Sequence, residues 1–184
     1  MVKKIILLED RPERLGTLIS EIKEQYPGTV EVTEILCYGS SEQWGEEKLA
    51  QLKTQLGQVC NVGDILCRRV DIWNFDQVMD ELYAQENTGF IMDTQLYPGE
   101  EREIFDYRIN ISYALRKKKS SEGSDFRIWF YTLAGQYYEK NIKSRFKGYV
   151  IDADGTDTGI RLDLNNCESF QKWITKKQGF YGDE

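Results

Sequence analysis

The chain has 184 residues, with 24 Lys and Arg against 31 Asp and Glu, a net charge of −7 and no histidine. The missing histidine excludes a Ser-His-Asp triad, a Cys-His pair and any imidazole metal ligand. With no CxxC spacing among the four cysteines either, a metal site is expected to be built from oxygen, which points to Mg²⁺ or Ca²⁺.

In chain order, KKIILL at 3–8 reads as a strand buried on both faces. Asp10 can cap a helix with Pro12 in its first turn, running to about Tyr26 on a stripe of Leu15, Leu18, Ile19 and Ile22. A strand over Val30 to Tyr38 follows, then a helix over Ser41 to Leu56 with Trp44, Leu49, Leu52 and Leu56 inward. Asp64 to Trp73 reads as an additional strand or a surface loop. Asn74 caps a helix from Phe75 to Gln85, and GFIMD at 89–93 is the next strand. Tyr97-Pro98-Gly99 is a turn. A long helix covers about Glu101 to Lys118, acidic at its start and basic at its end, as the helix dipole favours. FRIWFYT at 126–132 is a strand, Gln136 to Phe146 a short helix and Tyr149 to Asp152 a further strand. Asp154-Gly155 turns the chain into Gly159 to Leu164, and Asn166 caps a last helix to about Gln178. Strands alternating with helices predict a doubly wound, mostly parallel α/β sheet covered on both faces.

The longest apolar run, Ile5 to Leu8, is too short to span a membrane or to serve as a secretory signal. Cys37, Cys60, Cys67 and Cys167 show no CxxC spacing, so reduced thiols in a cytoplasm are expected. The acidic balance argues against general nucleic-acid binding.

In an open α/β sheet, function gathers beyond the carboxyl ends of the strands. The first strand ends with Glu9-Asp10, GFIMD with Asp93, FRIWFYT with Thr132 and the next with Asp152. With the first strand central, Glu9, Asp10 and Asp93 converge on one crevice. Carboxylates brought together must share a proton or a cation. A carboxylate beside Mg²⁺ can attack phosphorus and form an aspartyl phosphate.

ILLEDRPERL at 6–15, GFIMDTQLYPG at 89–99 and IWFYTLAG at 128–135 resemble the motifs of response-regulator receiver domains. The resemblance implies a five-stranded sheet of flavodoxin-like order 2-1-3-4-5. It makes residues 1–184 a single receiver-like domain, with an insertion at about 57–73 and a C-terminal hairpin and helix at about 153–184. It implies that Glu9, Asp10, Asp93 and the carbonyl of Gln95 hold Mg²⁺. Asp93 is then the phosphoacceptor and Thr132 the switch hydroxyl. The implied partner is a histidine kinase or a downstream signalling protein.

The sequence departs from that pattern at the end of the fifth receiver strand, where Asp152-Ala153 replaces the usual lysine. A pseudo-receiver, a phosphorylation-independent interaction module, is therefore the alternative. YVIDADGTD at 149–157 also resembles the first motif of haloacid-dehalogenase-type phosphatases, with Asp152 as nucleophile and Asp154 as acid/base. That motif belongs near the start of its domain, so only a permuted phosphatase would use it here, and a hairpin turn at Asp154-Gly155 is the simpler expectation. Arg116 to Lys119 could meet phosphate or simply end a solvated helix. Tyr137, Tyr138 and Tyr149 could form a partner-binding face.

Overall fold

The computed structural model describes residues 2–25, 27–28, 30–97, 108–121, 126–132, 145–146, 150–154 and 161–162. Strand β1 (Lys4–Glu9) carries Ile5, Ile6, Leu7 and Leu8, all buried, as a strand covered on both faces requires. A 3₁₀ turn (Pro12–Leu15) leads into α1 (Gly16–Gln25). Pro12 stands in the first turn, where its missing N–H costs nothing. Leu15, Leu18, Ile19 and Ile22 are buried together. There follow β2 (Glu31–Tyr38), α2 (Glu46–Val59), β3 (Leu66–Val70), α3 (Phe75–Tyr83), β4 (Thr88–Asp93) and α4 (Arg108–Ser120). The described elements end with β5 (Ile128–Thr132), β6 (Val150–Asp154) and β7 (Arg161–Leu162).

The sheet has seven strands in the order β3-β2-β1-β4-β5-β6-β7. The first six run parallel, and β7 is antiparallel to β6. This corrects the expected five-stranded order. Of the two expectations for Asp64 to Trp73, the strand holds: the segment supplies β3, which pairs along β2 from Glu34–Leu66 to Tyr38–Val70. It therefore adds an edge strand and one more crossover. At the other edge, Ala153 pairs with Leu162 and Asp154 with Arg161. Asp154 is thus the last residue of a strand, and the residues joining it to β7 lie outside those described. So do the helix expected at 166–178, nearly all of that at 136–146, and Pro98 to Tyr107.

Right-handed crossovers put α1 and α2, which touch, on one face of the sheet. Helices α3 and α4 share the other, tied by Tyr113 to Asp80, Lys117 to Asp80 and Arg116 to Asp76. The basic end of α4 is therefore engaged: Lys118 Nζ also donates to the carbonyl of Arg145. Asn74 precedes α3 as expected, but its side chain caps nothing. Instead its Oδ1 accepts the N–H of Asp71, and Asp71 Oδ1 accepts the N–H groups of Trp73 and Asn74. Cys37, Cys60 and Cys67 are free thiols. Among the described residues, no helix is long and apolar enough to cross a membrane.

Candidate functional site

The chain steps outward from β1 to β2 and β3, then returns to the opposite side of β1 at β4. Connections leaving β1 and β4 therefore diverge to opposite faces and leave a crevice at the carboxyl ends. β1 ends there on Glu9, followed by Asp10, and β4 ends there on Asp93. The three carboxylates each bring an oxygen within 4.8 Å of the others. Glu9 is 0% exposed, Asp10 3% and Asp93 9%.

Local backbone geometry fixes the cluster. Glu9 Oε1 accepts the N–H groups of Asp10 at 3.0 Å and Arg11 at 3.1 Å. Asp10 does not cap the first helix: Arg11 holds the N-cap position of the 3₁₀ turn, with no side-chain cap. The Asp10 carboxylate instead belongs to the cluster and lies 3.7 Å from Arg11 Nε. Asp93 Oδ1 accepts the N–H of Gln95 at 3.0 Å. The backbone carbonyl of Asp93 accepts Nδ2 of Asn110, a fully buried side chain of α4. The N–H of Thr94 continues the ladder to the carbonyl of Tyr131 at 3.0 Å.

The electrostatics of this arrangement are unresolved within the protein. Burial, then the charge of Asp93, push the Glu9 carboxyl well above the usual carboxylate range. Burial pushes Asp93 up to about 7, against the pull of the Glu9 carboxyl, the Gln95 N–H and the Arg14 charge. Asp10 is raised by burial, with Glu9, Arg11 and Arg14 opposing. Among the described residues, Glu9 Oε2 meets no N–H or hydroxyl donor. A proton shared among the acids or a cation would satisfy it. The donor set is all oxygen and suits a hard cation such as Mg²⁺. A cleft of about 440 Å³, lined by Asp10, Arg11, Arg14, Gln43, Trp44 and Lys48, opens beside the cluster.

Of the residues singled out in the sequence, Glu9, Asp10 and Asp93 come together, and Gln95 lies against Asp93 through its N–H. Thr132 ends β5 and pairs with Asp152 on β6. The residue level with Asp93 on β5 is Tyr131. Asp152 lies three strands from Glu9 across the sheet, about 14 Å at the usual strand spacing. Tyr137, Tyr138 and Tyr149 lie outside the described residues. Sequence reasoning missed Arg14, Asn110 and Tyr131. Arg14 carried one weak signal, a cation one turn beyond the paired acids.

Comparisons of the chain with family models, with curated proteins and with solved structures gave no match. The functional reading therefore rests on the geometry of the site.

Proposed function

We propose that the chain is a receiver-like signalling domain in which Glu9, Asp10 and Asp93 hold Mg²⁺ and Asp93 accepts a phosphoryl group. The observation that carries this reading is the burial of three mutually close carboxylates at the switch point, with Glu9 Oε2 left without a donor. With edge strand β3 set aside, the parallel strands run β2-β1-β4-β5-β6, an order that supports the receiver reading. Bound Mg²⁺ supplies the positive charge that offsets the carboxylates and the phosphoryl oxygens. The Gln95 N–H holds one oxygen of Asp93. The other attacks phosphorus of an acyl phosphate or of a kinase phosphohistidine. The new O–P bond forms as the donor's bond to phosphorus breaks, and the electron pair leaves with the acylate or imidazole. Arg14, whose charge acts on Asp10 and Asp93, stands in for the lysine that the receiver pattern places at Asp152. Modification adds negative charge at the end of β4 and changes contact with a protein partner in the cytoplasm.

A second reading, the pseudo-receiver, is favoured by Asp152, an acid beside Thr132 where the receiver pattern has a cation. The two are separated by intact mass after incubation with acetyl phosphate, with and without Mg²⁺. The receiver reading expects a Mg²⁺-dependent gain of one phosphoryl group that disappears in Asp93→Asn. A folded protein that shows neither the gain nor Mg²⁺ binding by titration is a pseudo-receiver.

A further inference from the structure

We infer that the Tyr131 hydroxyl is a positioning group of this site, donating a hydrogen bond to the oxygen atom, water or phosphoryl, held beside Asp93. The inference rests on the reading of Glu9, Asp10 and Asp93 as a cation and phosphoryl site.

Three adjacent strands carry the argument. Asp93 on β4 and Tyr131 on β5 are register partners, and Glu9 stands one residue beyond the Leu8–Met92 pair of β1 and β4. Glu9, Asp93 and Tyr131 thus form one row across the carboxyl end of the sheet. Register partners in a sheet project from the same face, about 4.8 Å apart from strand to strand. Tyr131 is 1% exposed, and its hydroxyl has no hydrogen-bond partner among the described residues. A buried hydroxyl without a partner is costly, and phenylalanine would fill the same space without that cost. Burial, then the charges of Glu9 and Asp93, push the phenol far above its ordinary ionisation range, so it remains a donor. Glu9 Oε2, in the same row, is the matching acceptor without a donor. The two are left unjoined, as expected of groups that meet through a third. Thr132, the hydroxyl that the receiver resemblance selects, stands one residue past this row.

The test compares wild type, Tyr131→Phe, Thr132→Ala and Asp93→Asn. Mg²⁺ affinity is measured by calorimetry and binding of beryllofluoride, a phosphoryl mimic, by ¹⁹F NMR. Metal-free melting temperature is read in parallel. Tyr131→Phe is expected to bind Mg²⁺ as wild type does, to melt no lower, and to lose beryllofluoride affinity by about tenfold or more, the usual worth of a hydrogen bond to a charged group. Unchanged beryllofluoride affinity in Tyr131→Phe, or a loss confined to Thr132→Ala, overturns the inference and leaves the proposed function standing. A lower melting temperature in Tyr131→Phe with equal loss of both ligands marks a structural role and also overturns it. If wild type binds neither Mg²⁺ nor beryllofluoride and matches Asp93→Asn throughout, the proposed function itself fails, and this inference with it.

Discussion

Two aspartates of this protein each lie near a tyrosine, with opposite outcomes. Asp80, on α3, accepts the Tyr113 hydroxyl at 2.9 Å and Lys117 Nζ at 2.7 Å. Lys117 first, then Tyr113, hold its carboxyl below the usual range. Asp93, at the end of β4, is buried with two other acids, and burial raises it to about 7. The nearby Tyr131 hydroxyl has no hydrogen-bond partner among the described residues. The first arrangement is complete in itself and joins two helices. The second is complete only with something added. Among the described residues a lysine pairs with Asp80 and none pairs with Asp93: the first aspartate fastens two helices, and the second stands in a cluster of buried acids.

The largest expected effect comes from removing the charge at Asp93. The folded carboxyl is raised to about 7 from an unfolded value of 3.8. The native state therefore keeps a proton that the unfolded chain has released. The stabilisation is fully present below about pH 4 and is lost as pH rises through 7. At about 1.4 kcal/mol per unit, the metal-free protein loses roughly 4 kcal/mol across that window. Asp93→Asn should remove the Asp93 share of that loss and leave the share of Glu9 and Asp10, whose carboxyls burial also raises. In denaturant titrations with chelator, the variant is expected to be more stable than wild type at pH 8 and about equal at pH 4. Mg²⁺ should stabilise wild type more at pH 8 than at pH 5 and leave the variant nearly unmoved. If wild type and Asp93→Asn follow the same pH profile, the contrast with Asp80 collapses.

Glu9→Gln sharpens the comparison from the other side of the cluster. The amide oxygen can still accept the Asp10 and Arg11 N–H groups that Glu9 Oε1 now holds. The backbone turn is therefore kept while a ligand charge is removed. Mg²⁺ affinity is expected to fall by at least about tenfold by calorimetry, while the metal-free melting temperature rises. A fall in both would make Glu9 structural.

Much of this was legible in the chain, and the failures are instructive. Glu9, Asp10 and Asp93 stood out because acids closing apolar strands are costly unless something answers them. β1 and β4 were clear because their apolar runs are unbroken. β3 was seen only as a possible strand, since one exposed leucine, Leu66, opens it and two arginines interrupt it. Its place at the sheet edge depends on pairing with β2, which no local pattern encodes. Tyr131 was hidden by its type: an aromatic residue in a strand reads as core, and its ring is indeed buried. Only the register reveals that it is level with Asp93. Asn110 reaches the Asp93 carbonyl from a separate helix, and nothing at either position announces the meeting. The cap assigned to Asn74 failed because Asp71, three residues earlier, accepts the N–H groups of Trp73 and Asn74.

Asp80→Asn tests the completed aspartate. Its side chain is 59% exposed, so solvent screens much of the Lys117 attraction. The amide oxygen can still accept from Tyr113 or Lys117, but without charge. The expected loss is about 1 kcal/mol in denaturant titration, with Mg²⁺ affinity unaltered. A change in Mg²⁺ affinity would mean that the α3–α4 fastening and the acid cluster are coupled through Asn110, which α4 carries to Asp93.

The smallest effect is expected at Arg116, whose Nη2 lies 2.8 Å from Asp76 Oδ1 on the same two helices. Both side chains are more than half exposed, at 57% and 63%. Such pairs lose to water and to side-chain entropy nearly what they gain. The guanidinium also lies 5.5 Å from the Tyr113 ring centroid, a contact that survives loss of Asp76. A double-mutant cycle with Arg116→Ala and Asp76→Ala separates the two, and the expected coupling is within about 0.5 kcal/mol. The Lys117–Asp80 pair should give a larger coupling, because Lys117 is only 26% exposed and Tyr113 donates to the same aspartate. If Arg116–Asp76 proved the stronger, burial would not be what grades these acids, and the argument that sets Asp93 apart by its burial would lose its physical basis.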